Sequence, residues 1–172
     1  KYALGMRILK KEDLPDEEFL SLETVHSPVH IGTHLDYSFH YGSKSEGRAS
    51  KTADEIPLEW CYSDGVKLDL LHKKPNETIK STDIEETLKK IGYALKPLDI
   101  VLLQTGADRF YGTPKYFSEY PGIDISAIDF LLDKQVRVFG VDTMGIDRPY
   151  RFMLKEFLEK KLHSDIEKSK EL

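Results

Sequence analysis

The chain has 172 residues and a mass of 19.8 kDa, with 40% hydrophobic and 32% charged residues, the proportions of a globular domain with room for a core. Its 25 basic residues against 30 acidic ones leave a net charge of −5, which speaks against a nucleic-acid partner, whose phosphates demand a basic face. No apolar run approaches the ~20 residues that span a bilayer, so no membrane segment is expected, and the single cysteine, Cys61, excludes an internal disulfide and fits a reducing, cytoplasmic interior.

In chain order, the first stretch, "KYALGMRILKKEDLP", has no apolar core of the kind a secretory leader needs, and "GMRILKK" reads as β-like. The N-terminal part contributes no clear helix. Residues 41–55, "YGSKSEGRASKTADE", are rich in Ser, Gly and charge and are expected to be flexible, as is the charged tail 159–172. "VKLDLL" (66–71) predicts a strand. A helix follows over 82–95, with Thr82 and Glu85 at capping-box spacing and Ile84, Leu88, Ile91 and Leu95 on one stripe. "LDIVLLQTG" (98–106) is a continuous apolar run closed by Gly106, the pattern of a strand covered on both faces. A second helix is predicted over 124–134 with Asp124 as its N-cap, and a further strand over 136–143. Arg148-Pro149 breaks the chain before a third helix, "RFMLKEFLEKKL". Strand, helix, strand, helix, strand implies right-handed crossovers and an α/β layer structure, here taken as a single domain over 1–172.

Three of the six histidines fall within "HIGTHLDYSFH", residues 30–40. Metal ligands must converge on one point, so the geometry of His30, His34 and Asp36 decides what this stretch can do. An ideal helix brings His30 and His34 to one face but turns Asp36 away. A straight strand aligns all three, yet leaves His30 and Asp36 ~20 Å apart. A bend at Gly32-Thr33 resolves the conflict. It returns His30 over His34, while His34 and Asp36 project together from a short strand. Two imidazoles and a carboxylate suit zinc, manganese or iron(II) with space for water. His40 lies four residues beyond Asp36, near enough to stand beside that water, and imidazole as a class exchanges protons near neutrality. By composition alone a polar loop explains the stretch equally well.

The motif itself goes further. "HIGTHLD" followed by "SFH" resembles the cyclase family of metal-dependent hydrolases (kynurenine formamidase- and isatin hydrolase-like), whose pattern is H-x-G-T-H-x-D-x-P-x-H. "DIVLLQTG" and "GVDTMGID" are similar to the later strand motifs of that family, so the likeness runs from about residue 25 to about residue 150. The resemblance implies metal ligation by His30, His34 and Asp36, with Asp36 able to bridge two ions, and a catalytic role for His40. It implies a swivelling β/β/α fold, a mixed sheet with flanking helices, assembled as a homodimer or homotetramer. The chemistry implied is hydrolysis of an amide or lactam by water activated on a divalent metal, Zn or Mn. Two departures stand out. Ser38 occupies the position of the motif proline. The family also has a further His and Glu after the strand equivalent to "GVDT"; no such segment follows here, which implies a domain truncated at its C-terminus or lacking the second ion. His163 and Glu167 have helical spacing without that context and are not assigned.

Other candidates are weaker. Arg109 and Tyr111 follow a strand's C-terminal end, where α/β proteins bind ligands, but a solvated arginine is the plainer reading. Asp142 is either a support for the site or a turn cap. Trp60, Tyr111, Tyr116, Phe117 and Tyr120 fit core or interface better than a pocket for a flat substrate. Two alternatives to the hydrolase are a metal-binding interaction module without activity and an iron(II) oxygenase, whose site also uses two histidines and a carboxylate.

Overall fold

The computed structural model describes residues 10–17, 23–45 and 47–170. The β-like stretch expected at "GMRILKK" lies mostly outside them. The chain forms two compact units, residues 1–53 and 54–172.

The first unit is held by local hydrogen bonds. None of its described residues is buried, and Val25, Val29 and Ile31 stand open to solvent. Two 3-10 turns, Lys11–Asp13 and Pro15–Glu17, precede a stretch without regular structure over 23–37. One helical turn, α1 (Ser38–Tyr41), follows, and then a minimal antiparallel hairpin of β1 (Lys44–Ser45) and β2 (Arg48–Ala49). Two expectations are thereby corrected. His34 and Asp36 do not sit on a strand, and the N-terminal part does contain a helix, the short one that bears His40.

The second unit contains the core. In chain order it runs β3 (Gly65–Asp69), β4 (Thr78–Ile79), α2 (Ser81–Ile91), β5 (Ile100–Gln104), β6 (Gly122–Ile123), α3 (Ile125–Asp133), β7 (Val138–Val141) and α4 (Tyr150–Lys170). Strands β3, β5 and β7 form a parallel sheet with β5 in the middle, and β4 pairs in parallel with β6 in a second, two-stranded sheet. This is the mixed α/β arrangement the alternation of the sequence predicts. Val66, Leu68, Val101 and Leu103 from the larger sheet meet Ile84 and Leu88 of α2 and Ala127 and Leu131 of α3. Each large aliphatic side chain buried there contributes about 1.5–3 kcal/mol.

The element ends have identifiable causes. Strand β3 stops at Asp69 because its carboxylate accepts the Leu71 N–H at 3.0 Å and turns the chain. Helix α2 starts one residue earlier than predicted. Asp83 at its third position accepts the Lys80 N–H at 2.7 Å, so Thr82 is not the cap. It stops at Gly92, whose left-handed conformation (φ 67) lets the Tyr93 N–H reach the Leu88 carbonyl at 3.0 Å. Helix α3 is capped as predicted, with Asp124 accepting from the Ser126 N–H at 3.0 Å. That contact and the Ser126 hydroxyl hold the Asp124 carboxyl below its ordinary range, the hydroxyl having the larger effect. Strand β5 begins only at Ile100, since buried Asp99 ties the preceding turn together through the Lys96 N–H and the Tyr93 hydroxyl, each at 2.9 Å. It is also not covered on both faces. Val101 and Leu103 are buried, but Leu102 between them is 47% exposed, because α2 and α3 pack on one face only. Pro149 ends the preceding loop and α4 follows, longer than predicted and extending through most of the charged tail.

Candidate metal centre

All four motif side chains come together within the first unit, and the bend at Gly32 is what returns His30 to His34 and Asp36. Gly32 has φ +67, the left-handed region closed to most residues, and the chain turns at residues 32 and 33. A Cβ at this position would meet nothing within 4 Å, so the glycine is required for its backbone conformation and not for space.

The donor atoms sit at ligand spacing. His30 Nδ1 lies 2.8 Å from Asp36 Oδ1 and 3.1 Å from His34 Nε2, and His34 Nε2 lies 3.4 Å from Asp36 Oδ1. Ligand atoms around a tetrahedral ion of zinc size stand about 3.3 Å apart. Three donors therefore outline one face of a coordination shell. The chemistry of the donors agrees. His34 Nδ1 is 2.9 Å from the Gly32 carbonyl, a contact only a protonated Nδ1 makes. A neutral His34 ring then has a bare Nε2, turned toward His30 and Asp36. A second ring nitrogen anchored on a carbonyl is the usual support of a metal-binding histidine. Between the Asp36 oxygen and His34 Nε2, both acceptors, the His30 Nδ1 proton occupies the place a cation would take. The residues fit a divalent ion.

His40 closes the group from α1. Its Nε2 is 3.9 Å from Asp36 Oδ2, and its ring lies 4.0 Å from that of His30, centroid to centroid. One ligand atom each from His30, Asp36 and His40 falls within 4.8 Å of the other two, so His40 is itself close enough to be a ligand. The four side chains are 28–40% exposed, which leaves water free access.

The remaining sequence candidates fall in the second unit and have structural partners. The Asp142 carboxylate accepts from the Thr105 and Gly106 backbone N–H groups and from the Thr105 hydroxyl, at 2.6–3.0 Å, and so caps the end of β5. Arg109 lies over the Phe110 ring at 5.1 Å. Tyr120 is buried, while Tyr111 and Phe117 flank Tyr116 edge-on and are exposed. His72, to which the sequence assigned nothing, lines a shallow polar groove of about 760 Å³, with its Nε2 3.9 Å from Asp83. Asp83 is paired with Lys73 at 2.9 Å. Burial raises the Asp83 carboxyl, but the Lys80 N–H and the Lys73 ammonium outweigh it and leave it below its ordinary value. The sequence also gave no sign of the contact between Ser38 and Lys51, 13 residues apart.

Residues 4–148 match the model of the family described as "Putative cyclase". The chain belongs to the cyclase family. Among solved structures, this cyclase-family chain is similar to an isatin hydrolase bound to the product analogue thioisatinate, with a TM-score of 0.51 and 19% identity over 56% of this chain and 40% of that one. Isatin hydrolase A from Labrenzia aggregata, bound to benzyl benzoate, also matches, with a TM-score of 0.49 and 24% identity over 56% of this chain and 41% of that one. The chain thus spans about two fifths of the solved isatin hydrolases it matches. No curated protein matches it. The first of these likenesses places the cyclase-family chain in the same α/β fold. Among the described residues, no helix is long and apolar enough to cross a membrane.

Proposed function

We propose that this chain belongs to a metal-dependent hydrolase that cleaves an amide or a cyclic amide, as an arylformamidase does. The observation that supports it is that the His30, His34 and Asp36 donor atoms lie 2.8–3.4 Å from one another. Family membership and the likeness to isatin hydrolase favour a hydrolase over other users of such a site.

In this reading His30, His34 and Asp36 hold one divalent ion, Zn or Mn, by imidazole nitrogen and carboxylate oxygen. The ion, when bound, acidifies water and polarises the carbonyl of the substrate. The chain's own contribution to the chemistry is proton movement. His40 Nε2 takes a proton as water adds to the carbonyl carbon. It returns that proton to the nitrogen as the carbon–nitrogen bond breaks, leaving a carboxylic acid and an amine, a role typically worth ~10²–10⁴-fold in rate. The second oxygen of Asp36 lies 3.9 Å from His40 Nε2, which sets the two side chains beside each other without a hydrogen bond between them. A second assignment is favoured by the mutual closeness of His30, Asp36 and His40, in which His40 is a ligand and His34 is the outer histidine.

One experiment tests both. The purified protein, loaded with zinc or manganese, is assayed on a panel of formamides and lactams that includes N-formylkynurenine and isatin. His34→Ala is expected to lose metal, and His40→Ala to keep metal and lose turnover; the reverse pattern selects the second assignment. Metal binding with no hydrolysis across the panel would leave a binding module, and dependence on oxygen and a 2-oxo acid would point to an oxygenase. The same proposal includes a cytoplasmic setting and a single domain over residues 1–172. It also includes assembly as a homodimer or homotetramer, which the exposed Val25, Val29, Ile31 and Phe39, in a unit with no buried residue among those described, favour. Sedimentation of a monomer at micromolar concentration would refute that last element.

A further inference from the structure

We propose that Ser38 is a positioning residue for His40, acting by a hydroxyl clamp on the backbone of Lys51; this rests on the catalytic reading of His40 given above. The clamp is two-way. The Ser38 hydroxyl accepts the Lys51 N–H at 3.1 Å and donates to the Lys51 carbonyl at 3.3 Å. The Phe39 N–H donates to the same carbonyl at 3.1 Å. Both backbone groups of Lys51 are therefore gripped by the first two residues of α1.

The helix is short and exposed. It is four residues long, contains no buried residue and has no side-chain cap at its N-terminus. A helix of one turn does not persist by its own hydrogen bonds. What fixes it is the base of the loop from 38 to 51. There the Ser38 clamp, the Ser50 N–H to Ser43 carbonyl bond at 3.0 Å and the β1–β2 pairing form successive rungs. His40 is two residues past the lowest rung, and its ring rests against those of His30 and Tyr41 at 4.0 and 4.9 Å. Loosening the base lets α1 and its imidazole move relative to Asp36, while His30, His34 and the Gly32 bend lie upstream of the loop.

The test uses the full chain with Ser38→Ala, Ser38→Val and Ser38→Thr. Alanine and valine remove the hydroxyl, valine with bulk retained, and threonine keeps it. The first readout is the His40 ring signals in proton–carbon NMR without added metal or substrate. They are expected to shift toward the values of unstructured histidine in the alanine and valine variants and to stay in place in the threonine variant. The second readout is steady-state kinetics on a substrate the wild type hydrolyses. The first two variants are expected to lose about two- to tenfold in kcat, the factor a single net hydrogen bond supplies. KM and metal content stay unchanged, and threonine restores the rate. A role in folding alone would lower the unfolding midpoint without separating kcat from KM. Unmoved His40 signals in Ser38→Ala overturn the proposal, as does full kcat in a variant whose signals have moved. A wild type that hydrolyses nothing refutes the proposed function instead, and the NMR readout then judges the clamp by itself.

Discussion

Gly32→Ala isolates the bend from everything else at the site. A Cβ there would touch nothing within 4 Å, so the substitution introduces no clash. The only cost is the left-handed backbone conformation, φ +67, which an L-residue with a side chain adopts at a penalty of roughly 1–2 kcal/mol. No described residue of the first unit is buried, so no packing forces the bend to persist in the variant. The free chain relaxes to an ordinary backbone conformation and must return to the bend to bring His30 to His34 and Asp36. The penalty therefore appears in metal affinity, as an increase of about 5- to 30-fold in Kd. The urea midpoint of the second unit stays at the wild-type value. Gly32→Asn, which tolerates the left-handed region better, falls between. Titration with zinc in competition with a chromogenic chelator measures all three proteins. Equal affinity in wild type and Gly32→Ala would refute the argument that this bend assembles the ligands.

Asp142→Ala leaves the Thr105 and Gly106 N–H groups without their acceptor in a part-buried turn, and is expected to destabilise the second unit by about 2–4 kcal/mol in urea unfolding; a change under about 0.5 kcal/mol would mean the turn finds other partners. Gly122→Ala would place its Cβ 2.4 Å from the Arg148 backbone nitrogen, which cannot swing aside as a side chain could, and should cost about 1–3 kcal/mol by the same measurement. The lowered Asp83 carboxyl adds stability that is fully present above the pKa of an unfolded aspartate, roughly 3.9, and is lost as pH falls through its folded value. The gap in urea midpoint between wild type and Asp83→Asn should therefore be full at pH 7 and shrink at pH 3; a gap that widens on acidification reverses the sign and contradicts the pairing with Lys73.

Much of the second unit was legible because its sequence states burial directly. Alternating polar and apolar residues in β3, the stripe of Ile84 and Leu88, and Asp124 ahead of an apolar run each report a local requirement that the fold keeps. Local signals also explain some of the misses. Gly92 is a sufficient stop for α2, yet the apolar spacing of Leu95 suggests a longer helix, and a left-handed glycine outweighs one more residue on the stripe. "IVLLQ" reads as buried on both faces because apolar residues stand at successive positions. Whether a layer covers the face of Leu102 is a tertiary fact that the run does not encode. In the first unit the approach of His30, His34 and Asp36 to one another followed from spacing and one glycine. The strand expected under His34 and Asp36 did not form, since no described segment pairs with it and hydrogen bonds to Gly32 and among the side chains hold the stretch. The Ser38–Lys51 clamp spans 13 residues and has no periodic signature, so only the folded chain reveals it.

A cation held by His30, His34 and Asp36 is the centre of the proposed function, and counting that cation is its most direct test. Wild type, Asp36→Ala and His34→Ala, each dialysed against the same zinc or manganese solution and analysed for metal by mass spectrometry, should give at least one ion per chain for the first and almost none for the other two. Metal content independent of Asp36, or a wild type that emerges metal-free, would contradict it.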